Sequence, residues 1–338
     1  MNIRKNFLGL LLSFITIISI PGIANASSTN VSSLKIHYID CGQGDSTLIQ
    51  VGNENILIDS GNNDSKAYDY LKGRGITKLN IVIATHPHAD HIGGMKKILE
   101  NIEVGNFYAP KVTTNTQTFT SMINSLKSQN IKIKVPQAGE QLQIGSAIIT
   151  LLAPNSNTYE DLNNYSIVTK LRYGNTSFIF QGDAEDISES EILAKQLDIS
   201  ADVIRIGHHG SASSTTSEYL NKVNPKYAII SVGENNDYGH PNTTTLDKLS
   251  QRNITTYRTD INGTIIASSD GENIEFTATK DASEVNEIQN DNTTNYKTID
   301  TVYNKAKEKI NHAKETVAEV KDNIKNNLTE IIKNKIFN

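Results

Sequence analysis

The sequence predicts an α/β fold in which two mixed β-sheets pack face to face and helices cover their outer sides. Short runs that are apolar, or that alternate between apolar and polar residues, recur along residues 34–232 and are typical of strands. Segments with helical periodicity lie between these runs, as in folds whose strands are joined by helices. Several histidine and aspartate side chains directly follow such a run. We therefore expect these side chains to gather at one edge of the sheets.

The individual elements follow from the same patterns. Strands are predicted at 34–39, 47–51, 55–58, 81–84, 147–152, 167–173, 177–180, 203–206 and 227–232. Helices are predicted at 66–71, 119–128, 188–195 and 244–251, with two more beginning at Asp90 and at Ser217. The helix from Asp90 is expected to run to about Leu99. Residues 263–267 and 274–276 predict a hairpin that closes the domain.

Residues 1–26 have the composition of a secretory signal peptide. Arg4 and Lys5 precede an apolar stretch over 7–20, and Ala24-Asn25-Ala26 provides a cleavage site. The apolar stretch is short for a membrane span, so we expect a protein that is exported and cleaved after Ala26. An uncleaved membrane anchor is the alternative. No other stretch of the sequence is apolar over the length needed to cross a membrane, so no transmembrane domain is expected after cleavage.

The composition changes again after residue 280. Residues 281–298 are polar and predict a linker. From Ile299 to Ile331 apolar residues recur at steps of three and four, which predicts a helical extension over 299–338 with a heptad-like stripe. This helix has three interpretations, namely packing on the preceding domain, self-association as a coiled coil, and contact with a surface.

The most informative motif is Thr85-His86-Pro87-His88-Ala89-Asp90-His91, which places three of the eight histidines in six consecutive positions after the predicted strand 81–84. In an extended chain His86 and His88 leave the same face, and Pro87 between them disfavours a helix. Nitrogen and oxygen donors delivered to one point are what a first-row metal requires. The motif therefore predicts a metal site.

This motif resembles that of the metallo-β-lactamase fold, a four-layer αββα sandwich, and the resemblance extends over residues 33–280. The family carries an aspartate at the end of an earlier strand, which Asp59 matches, and a metal-bridging aspartate, which Asp183 matches. Its last histidine matches His208 or His209, and the sequence leaves that choice open.

One departure points to a subgroup of the family. No histidine occurs between His91 and His208, and Asn163-Asn164-Tyr165-Ser166 occupies the place of the middle histidine ligand. This substitution resembles the hydrolase domain of ComEC-type DNA-uptake proteins and their free-standing relatives. Asp40-Cys41-Gly42-Gln43-Gly44-Asp45-Ser46 is similar to the opening motif of that subgroup, with Cys41 where valine is usual. His208-His209-Gly210-Ser211 and Gly239-His240-Pro241 match it as well.

The resemblance implies a centre with two divalent ions, Zn²⁺ or Mn²⁺. His86 and His88 would bind one ion, Asp90, His91 and a late histidine the other, and Asp183 would bridge them. Asn164 or water would complete the first site. Catalytic roles are expected for Asp90, Asp183 and His240, the last as a donor to a phosphoryl oxygen or a leaving alcohol.

A further group of residues is expected to support the centre or contact the substrate. It consists of Asp45, Asp59, Asn164, Ser166 and Ser211. For Asp45 the alternative is a turn aspartate that caps backbone amides beside Gly44. His37 is expected to be structural. The single cysteine, Cys41, excludes an internal disulfide, and we expect it to be a small buried residue.

The resemblance implies phosphodiester cleavage, most simply of extracellular DNA. The formal net charge of −5 does not favour tight nucleic-acid binding, and Lys96, Lys97 and Arg205 are isolated basic positions. A second hypothesis is therefore a secreted metallohydrolase of a small ester, lactone or cell-wall phosphoester. A third is a non-enzymatic interaction protein that works through its helical tail.

Overall fold

The computed structural model of the chain describes residues 33–62 and 64–280, and in this part of the chain two mixed sheets pack face to face. The first sheet contains β1 (Leu34–Tyr38), β2 (Thr47–Val51), β3 (Glu54–Ile58), β4 (Lys78–Ile83), β5 (Glu103–Tyr108), β6 (Ile133–Lys134), β14 (Ile265–Ser269) and β15 (Ile274–Ala278). The second contains β7 (Gln141–Ile144), β8 (Ala147–Leu151), β9 (Thr169–Tyr173), β10 (Thr176–Phe180), β11 (Val203–Arg205), β12 (Tyr227–Ile230) and β13 (Thr255–Arg258).

Helices cover the outer face of each sheet, which gives the expected order of four layers. They are α1 (Lys66–Gly73), α2 (Ala89–Ile92), α3 (Met95–Asn101), α4 (Gln117–Ser128), α5 (Asp186–Ala194), α6 (Ser217–Val223), α7 (Thr243–Ser250) and α8 (Thr259–Asn262). Two 3₁₀ turns lie at Leu162–Tyr165 and Gly207–Gly210. One apolar cluster fills the space between the sheets, and one further cluster lies under the helices on each side.

The period-two alternation of the strands explains these layers. In β3, Ile56 and Ile58 belong to the cluster between the sheets, whereas Leu57 belongs to the cluster under the helices of the first sheet. In β10, Phe178 and Ile179 are divided in the same way between the central cluster and the outer cluster of the second sheet. Because successive side chains point to opposite faces, a strand buried on both sides has a continuous apolar run.

Each sheet changes from antiparallel to parallel pairing at a defined strand. In the first sheet β2 and β3 pair antiparallel, and β3, β4 and β5 pair parallel. In the second sheet β9 and β10 pair antiparallel, and β10, β11 and β12 pair parallel. In open α/β sheets, ligands bind beyond the carboxyl ends of the strands at such switch points. The chain after β3, β4, β10 and β11 is therefore where a functional site is expected.

Every strand and hairpin predicted from the sequence is present, with ends shifted by at most three residues. Four strands were missed, β5, β6, β7 and β13, because most of their side chains are exposed or half-buried and give no apolar run. The single helix predicted from Asp90 to Leu99 is wrong. Two helices, α2 and α3, occupy this segment and are separated at Gly93-Gly94. A side chain on Gly94 would lie 2.5 Å from the Ser60 carbonyl oxygen.

Several predicted segments lie outside the described residues. They are the signal peptide over 1–26, the linker over 281–298 and the helix over 299–338. No helix in the described part of the chain is both long enough and apolar enough to span a membrane.

A buried ion pair joins the two sheets. Arg205 at the end of β11 places a guanidinium nitrogen 2.7 Å from Oδ2 of Asp45, which precedes β2, and both side chains are almost fully buried. Arg205 also donates to the carbonyl oxygen of Gly182 at 2.7 Å. Arg205 is therefore a structural residue and not a surface contact for a polyanion, and the alternative that the Asp45 carboxylate caps backbone amides is wrong. A charge this deeply buried requires a partner of opposite sign.

His37 is a structural residue of β1, as predicted. Its Nδ1 lies 2.9 Å from the Tyr70 hydroxyl and its Nε2 lies 3.0 Å from Gln50 Oε1. Burial, with a smaller contribution from the positive charge of Arg74, lowers the pKa of His37 to about 4. His37 is therefore neutral in the folded protein at neutral pH.

We expect Arg205→Ala to lower the free energy of unfolding by about 3–5 kcal/mol, because it leaves the Asp45 carboxylate buried without a partner. Urea denaturation of the two proteins measures this difference. Lys226→Ala is the matched control. It removes an ion pair to Asp202 from a lysine side chain that is 73% exposed, and should cost less than about 1 kcal/mol. Equal losses in the two variants would contradict the assigned role of Arg205.

His37 should make the fold sensitive to mild acid. Its pKa is lowered on folding, so the unfolded chain binds the proton more readily between pH 6.5 and about 4. The stability that neutral His37 contributes is complete above this window and is lost as the pH falls through it. Between pH 7.5 and 4.5 we expect the wild type to lose about 2 kcal/mol more stability than His37→Gln. Parallel urea titrations at the two pH values test this, and equal losses would contradict it.

Candidate metal centre

The candidate site lies where the carboxyl ends of β3, β4, β10 and β11 come together from the two sheets. The segment after β4 brings His86 and His88 next to each other, with His86 Nε2 at 2.9 Å from His88 Nδ1 and ring centroids 4.6 Å apart. His86 is buried and His88 is half-buried. The two rings lie on the same side of the chain, as predicted, because the backbone at His88 is extended.

His91 is held from behind by Asp59. Its Nδ1 donates to Asp59 Oδ2 at 2.7 Å, and the other oxygen of that carboxylate accepts from the backbone N–H of Thr85 at 2.8 Å. The Thr85 hydroxyl donates to Asp59 as well, at 2.6 Å. With one proton on Nδ1, the neutral form of His91 would direct the lone pair of Nε2 to the centre. Asp59 therefore holds the ring of His91 in place, and both of its carboxylate oxygens accept hydrogen bonds from neighbouring residues.

Oδ2 of Asp183 is the atom on which the other groups converge. Asp183 follows β10, and four imidazole nitrogens surround this oxygen: Nε2 of His91 at 3.1 Å, of His209 at 3.6 Å, and of His86 and His208 at 3.8 Å each. Ligands that share one ion at bond lengths of about 2.1 Å are roughly 3.0–3.4 Å apart. These spacings are close to those of ligands on a shared cation.

His208 and His209 enter the centre through an unusual backbone. Both have left-handed backbone angles, with φ of 49° and 53°, which non-glycine residues adopt only where the surroundings enforce it. The Nδ1 of His209 donates to the carbonyl oxygen of Ser231 at 2.8 Å, and its Nε2 lies 3.2 Å from Asp90 Oδ2. His208 instead contacts Glu185, with Nδ1 at 3.2 Å from Oε1. Each ring thus has one anchored nitrogen and a second nitrogen near Asp183.

Asp90, His91, Asp183 and His209 form a group whose ligand atoms all lie within 4.8 Å of one another. Asp45, Asp59 and His91 form a second such group in the described residues. The atoms of that group are already used, because Asp45 pairs with Arg205 and Asp59 holds His91. The first group is therefore the better candidate for a metal.

The electrostatics of the centre require a positive charge. Burial alone would lower the pKa of His91, but the surrounding carboxylates, above all Asp183, raise it well above its ordinary value. Burial alone would raise the pKa of Asp183, but the imidazoles of His91 and His209 lower it well below its ordinary value. A divalent cation fits this demand, since His91 Nε2 and Asp183 Oδ1 are buried without a hydrogen bond and supply nitrogen and oxygen donors.

Ser166 and Asn164 support the centre without belonging to the ligand group. The Ser166 hydroxyl accepts from the backbone N–H of Asp183 at 3.0 Å and lies 3.3 Å from His86 Nδ1. Oδ1 of Asn164 accepts from the backbone N–H groups of Glu185 and Ser188 at 3.2 Å each. Because an amide oxygen has two lone pairs, both acceptor positions of Asn164 are used locally. Its expected role as a ligand of the first ion is therefore not supported by this geometry.

The remaining predicted residues lie at the edge of the centre or away from it. His240 is half-buried, with its ring centroid 5.5 Å from that of His208, and burial followed by the nearby histidines lowers its pKa to about 4. Ser211 contacts Ser213 at 2.9 Å between hydroxyl oxygens. Cys41 is buried, and burial raises the pKa of its thiol. It is not in either ligand group, as expected.

Two functional residues were missed from the sequence. Glu185 holds His208 and also accepts from the Ser213 hydroxyl at 2.7 Å. Nothing in its spacing distinguishes it from a surface carboxylate. Arg205 did give a signal, because it interrupts an apolar strand, and arginine is almost never fully buried unless it is paired.

The sequence of the segments that form this centre is similar to that of known proteins. The model of the metallo-beta-lactamase superfamily matches residues 39–234. ComE operon protein 3 of Bacillus subtilis is 32% identical over 251 residues, which are 68% of this chain and 32% of that protein. Recombination protein 2 of Haemophilus influenzae is 28% identical over 241 residues, 68% of this chain and 28% of that protein. The chain thus spans about a third of the length of the curated relatives it matches.

Among solved structures, the chain is similar to the metallo-beta-lactamase fold protein YhfI of Bacillus subtilis. The TM-score is 0.46, and the two are 13% identical over 67% of this chain and 95% of that chain. The family match covers more than half of the 338 residues and includes every segment that contributes to the group around Asp183. The chain therefore belongs to the metallo-β-lactamase superfamily, with relatives among the ComEC-type competence proteins.

Proposed function

We propose that this hydrolase cleaves phosphodiester bonds of DNA at a centre that holds two divalent ions, Zn²⁺ or Mn²⁺. The observation that carries the proposal is Asp183 Oδ2, a single carboxylate oxygen with four histidine nitrogens at 3.1–3.8 Å. One ion cannot use all of these donors together with His88 and Asp90 in a tetrahedral site, whereas two ions that share Asp183 can.

The ligands divide naturally between the two ions. Asp90, His91 and His209 would bind one ion, since their donor atoms and Asp183 form one compact group. His86 and His88 would bind the other, as the 2.9 Å between their nitrogens suits neighbouring positions on one ion. Under this proposal both late histidines are ligands, whereas the sequence leaves the choice between them open.

His208 is the residue we assign to the place of the absent middle histidine. Its Nε2 lies as far from Asp183 Oδ2 as that of His86 does, on the same shared oxygen. Glu185 fixes the opposite nitrogen of the ring, an arrangement in which a carboxylate orients a histidine for a metal. This assignment replaces the expected participation of Asn164.

The residues of the centre account for the chemistry. When bound, two divalent cations lower the pKa of water and neutralise phosphoryl charge. Asp183 and Asp90 would hold the attacking water in position by accepting its hydrogen bonds. His240, at the edge beside His208, would donate a hydrogen bond to a phosphoryl oxygen or to the leaving alcohol. The Ser166 hydroxyl would hold Asp183 and His86 in place relative to each other, and we propose no substrate contact for it.

DNA as the substrate is supported by the relatives rather than by the charge of the chain. Curated relatives bear the names Competence protein ComA and Recombination protein 2. Against it stands the net charge of −5, which lowers non-specific affinity for a polyanion. Recognition would then depend on the centre itself, so cleavage should be largely indifferent to sequence.

A small ester, lactone or cell-wall phosphoester is the second candidate substrate. A shallow apolar depression with a cavity volume of only about 10 Å³ adjoins His86, and its walls could contact an apolar substituent at the surface. Its walls are Ala84, Pro87, Ile92, Ala109, Pro110, Val112, Phe119 and Met122. The non-enzymatic hypothesis depends on residues 299–338, which lie outside the described residues, whereas the donor group around Asp183 favours an enzyme.

Export and partner contacts are also proposals. We propose that residues 1–26 direct the protein out of the cytoplasm, and that residues 299–338 mediate self-association or contact with a surface. Both depend on the sequence patterns of segments that lie outside the described residues.

Reconstituted full-length protein should bind two Zn²⁺ or Mn²⁺ ions per chain. Asp183→Asn should lose the tight binding of both, because the shared oxygen donor is weakened, and His208→Ala should retain one ion. Asp59→Asn should weaken binding by about 10- to 100-fold through the misoriented His91. Elemental analysis after dialysis and calorimetric titration measure these numbers, with His37→Gln as a control that binds two ions.

Wild type free of Mn, Zn and Fe after reconstitution with each metal would contradict the centre. His208→Ala that still binds two ions with unchanged affinity would contradict the assignment of His208 alone.

The nuclease proposal predicts metal-dependent cleavage of linear DNA that weakens as salt rises, because contacts to the phosphate backbone release counterions. His86→Ala and Asp183→Ala should each abolish cleavage. His312→Ala should not change it, because His312 lies in the segment 299–338, after every candidate ligand in the sequence. Removal of the chain from Asp281 onward should leave the cut intact, since every candidate ligand precedes that residue. Gel assays of single- and double-stranded DNA with Mn²⁺ or Zn²⁺ test this. If the wild type hydrolyses a lactone or small phosphoester and leaves DNA uncut, the second candidate substrate is favoured.

A further inference from the structure

The loop between β12 and α7 is built around one asparagine next to the centre. The Asn236 side chain accepts from the backbone N–H groups of Tyr238 and His240 at 3.2 and 3.0 Å. It donates to the carbonyl oxygens of Gly233 and His240 at 3.0 and 2.6 Å. Four hydrogen bonds from a single side chain fix the conformation of this loop, and therefore the direction in which its other side chains point.

The loop presents Tyr238 to solvent. The Tyr238 side chain is 70% exposed, more than the other large apolar residues at the described surface, Ile133, Val135 and Ile187. A single exposed apolar residue needs no explanation by itself. Tyr238 differs because one face of its ring is already occupied, stacking on His240 with centroids 5.9 Å apart and planes inclined by 24°.

His240 connects this tyrosine to the centre. Its ring lies edge-on to that of His208, with centroids 5.5 Å apart and an interplanar angle of 76°. His208 in turn reaches Asp183. Three rings therefore lead in steps of less than 6 Å from the shared carboxylate to a solvent-facing aromatic surface. A phosphodiester at Asp183 would place the sugar and base of its neighbouring nucleotide over this path.

We propose that Tyr238 is a stacking platform for the nucleobase next to the phosphate that is cleaved, so that the enzyme acts on single-stranded nucleic acid. The proposal rests on the phosphodiesterase function proposed above and adds the class of strand. A base can lie flat on an exposed ring only when it is unpaired and unstacked. Stacking is tolerant of sequence, because every base has a π-face. It also gives affinity that does not depend on a basic groove.

The test compares two single-stranded oligonucleotides of the same sequence, one normal and one in which every base is replaced by an abasic spacer. The wild type should cleave the normal strand with a kcat/KM higher by about 5- to 150-fold, the range that stacking of one base gives. Tyr238→Ala should lose most of this preference, with little change on the abasic strand. Tyr238→Phe and Tyr238→Trp should keep it, since the ring and not the hydroxyl is required.

Val135→Ala is the matched control, an exposed apolar side chain away from the centre, and should behave as the wild type. The same ratio between the two strands in the wild type and in Tyr238→Ala would overturn the platform while leaving phosphodiesterase activity standing. Loss of the ratio in Tyr238→Phe would overturn it in favour of the hydroxyl. If the wild type cleaves neither strand, the phosphodiesterase function itself falls, and the platform falls with it.

Discussion

The structure depends on how several buried carboxylates are neutralised at the meeting point of two sheets. Asp45, Asp59 and Asp183 are almost fully buried, and each would be costly without a positive partner. The fold supplies Arg205 for Asp45 and His91 for Asp59, and it surrounds Asp183 with imidazoles. The guanidinium of Arg205 thus lies closest to Asp45, at 2.7 Å, and only at 3.9 Å from Oδ1 of Asp183. The carboxylate oxygen with the largest number of nitrogen neighbours is left for an exchangeable cation.

The geometry of the sheets explains why these groups meet at all. Both sheets change from antiparallel to parallel pairing, and the strands at the two changes end on the same side of the sandwich. Close approach of the backbone completes the site. Gly44, with φ of 147°, lets its loop lie against Asp90, where a side chain would come within 2.4 Å of the Asp90 carbonyl oxygen. The centre is therefore a property of the whole sandwich and not of one loop.

Much of this could be predicted from the sequence, for a physical reason. Strands buried on both faces leave apolar runs, and the histidines of a metal motif are adjacent in sequence, so both are visible without a structure. Edge strands such as β7 bury too little to leave such a run. The pairing of Asp45 with Arg205, 160 residues away by their numbers, and the use of Asn164 Oδ1 by backbone amides depend on tertiary contacts. No local pattern encodes them.

The ion pair between the sheets also bears on whether metal exchange requires unfolding. The buried side chains His86, His91 and His209 are reached only from within the sandwich, whereas His208 and Asp90 are 23% and 27% exposed at its rim. Because Arg205 and Asp45 hold the sheets together behind the centre, ions would enter and leave through the rim by side-chain rotation. If the centre binds metal as proposed, exchange of that metal would then not require the sheets to separate. Such a protein could replace one divalent cation by another from its surroundings while remaining folded.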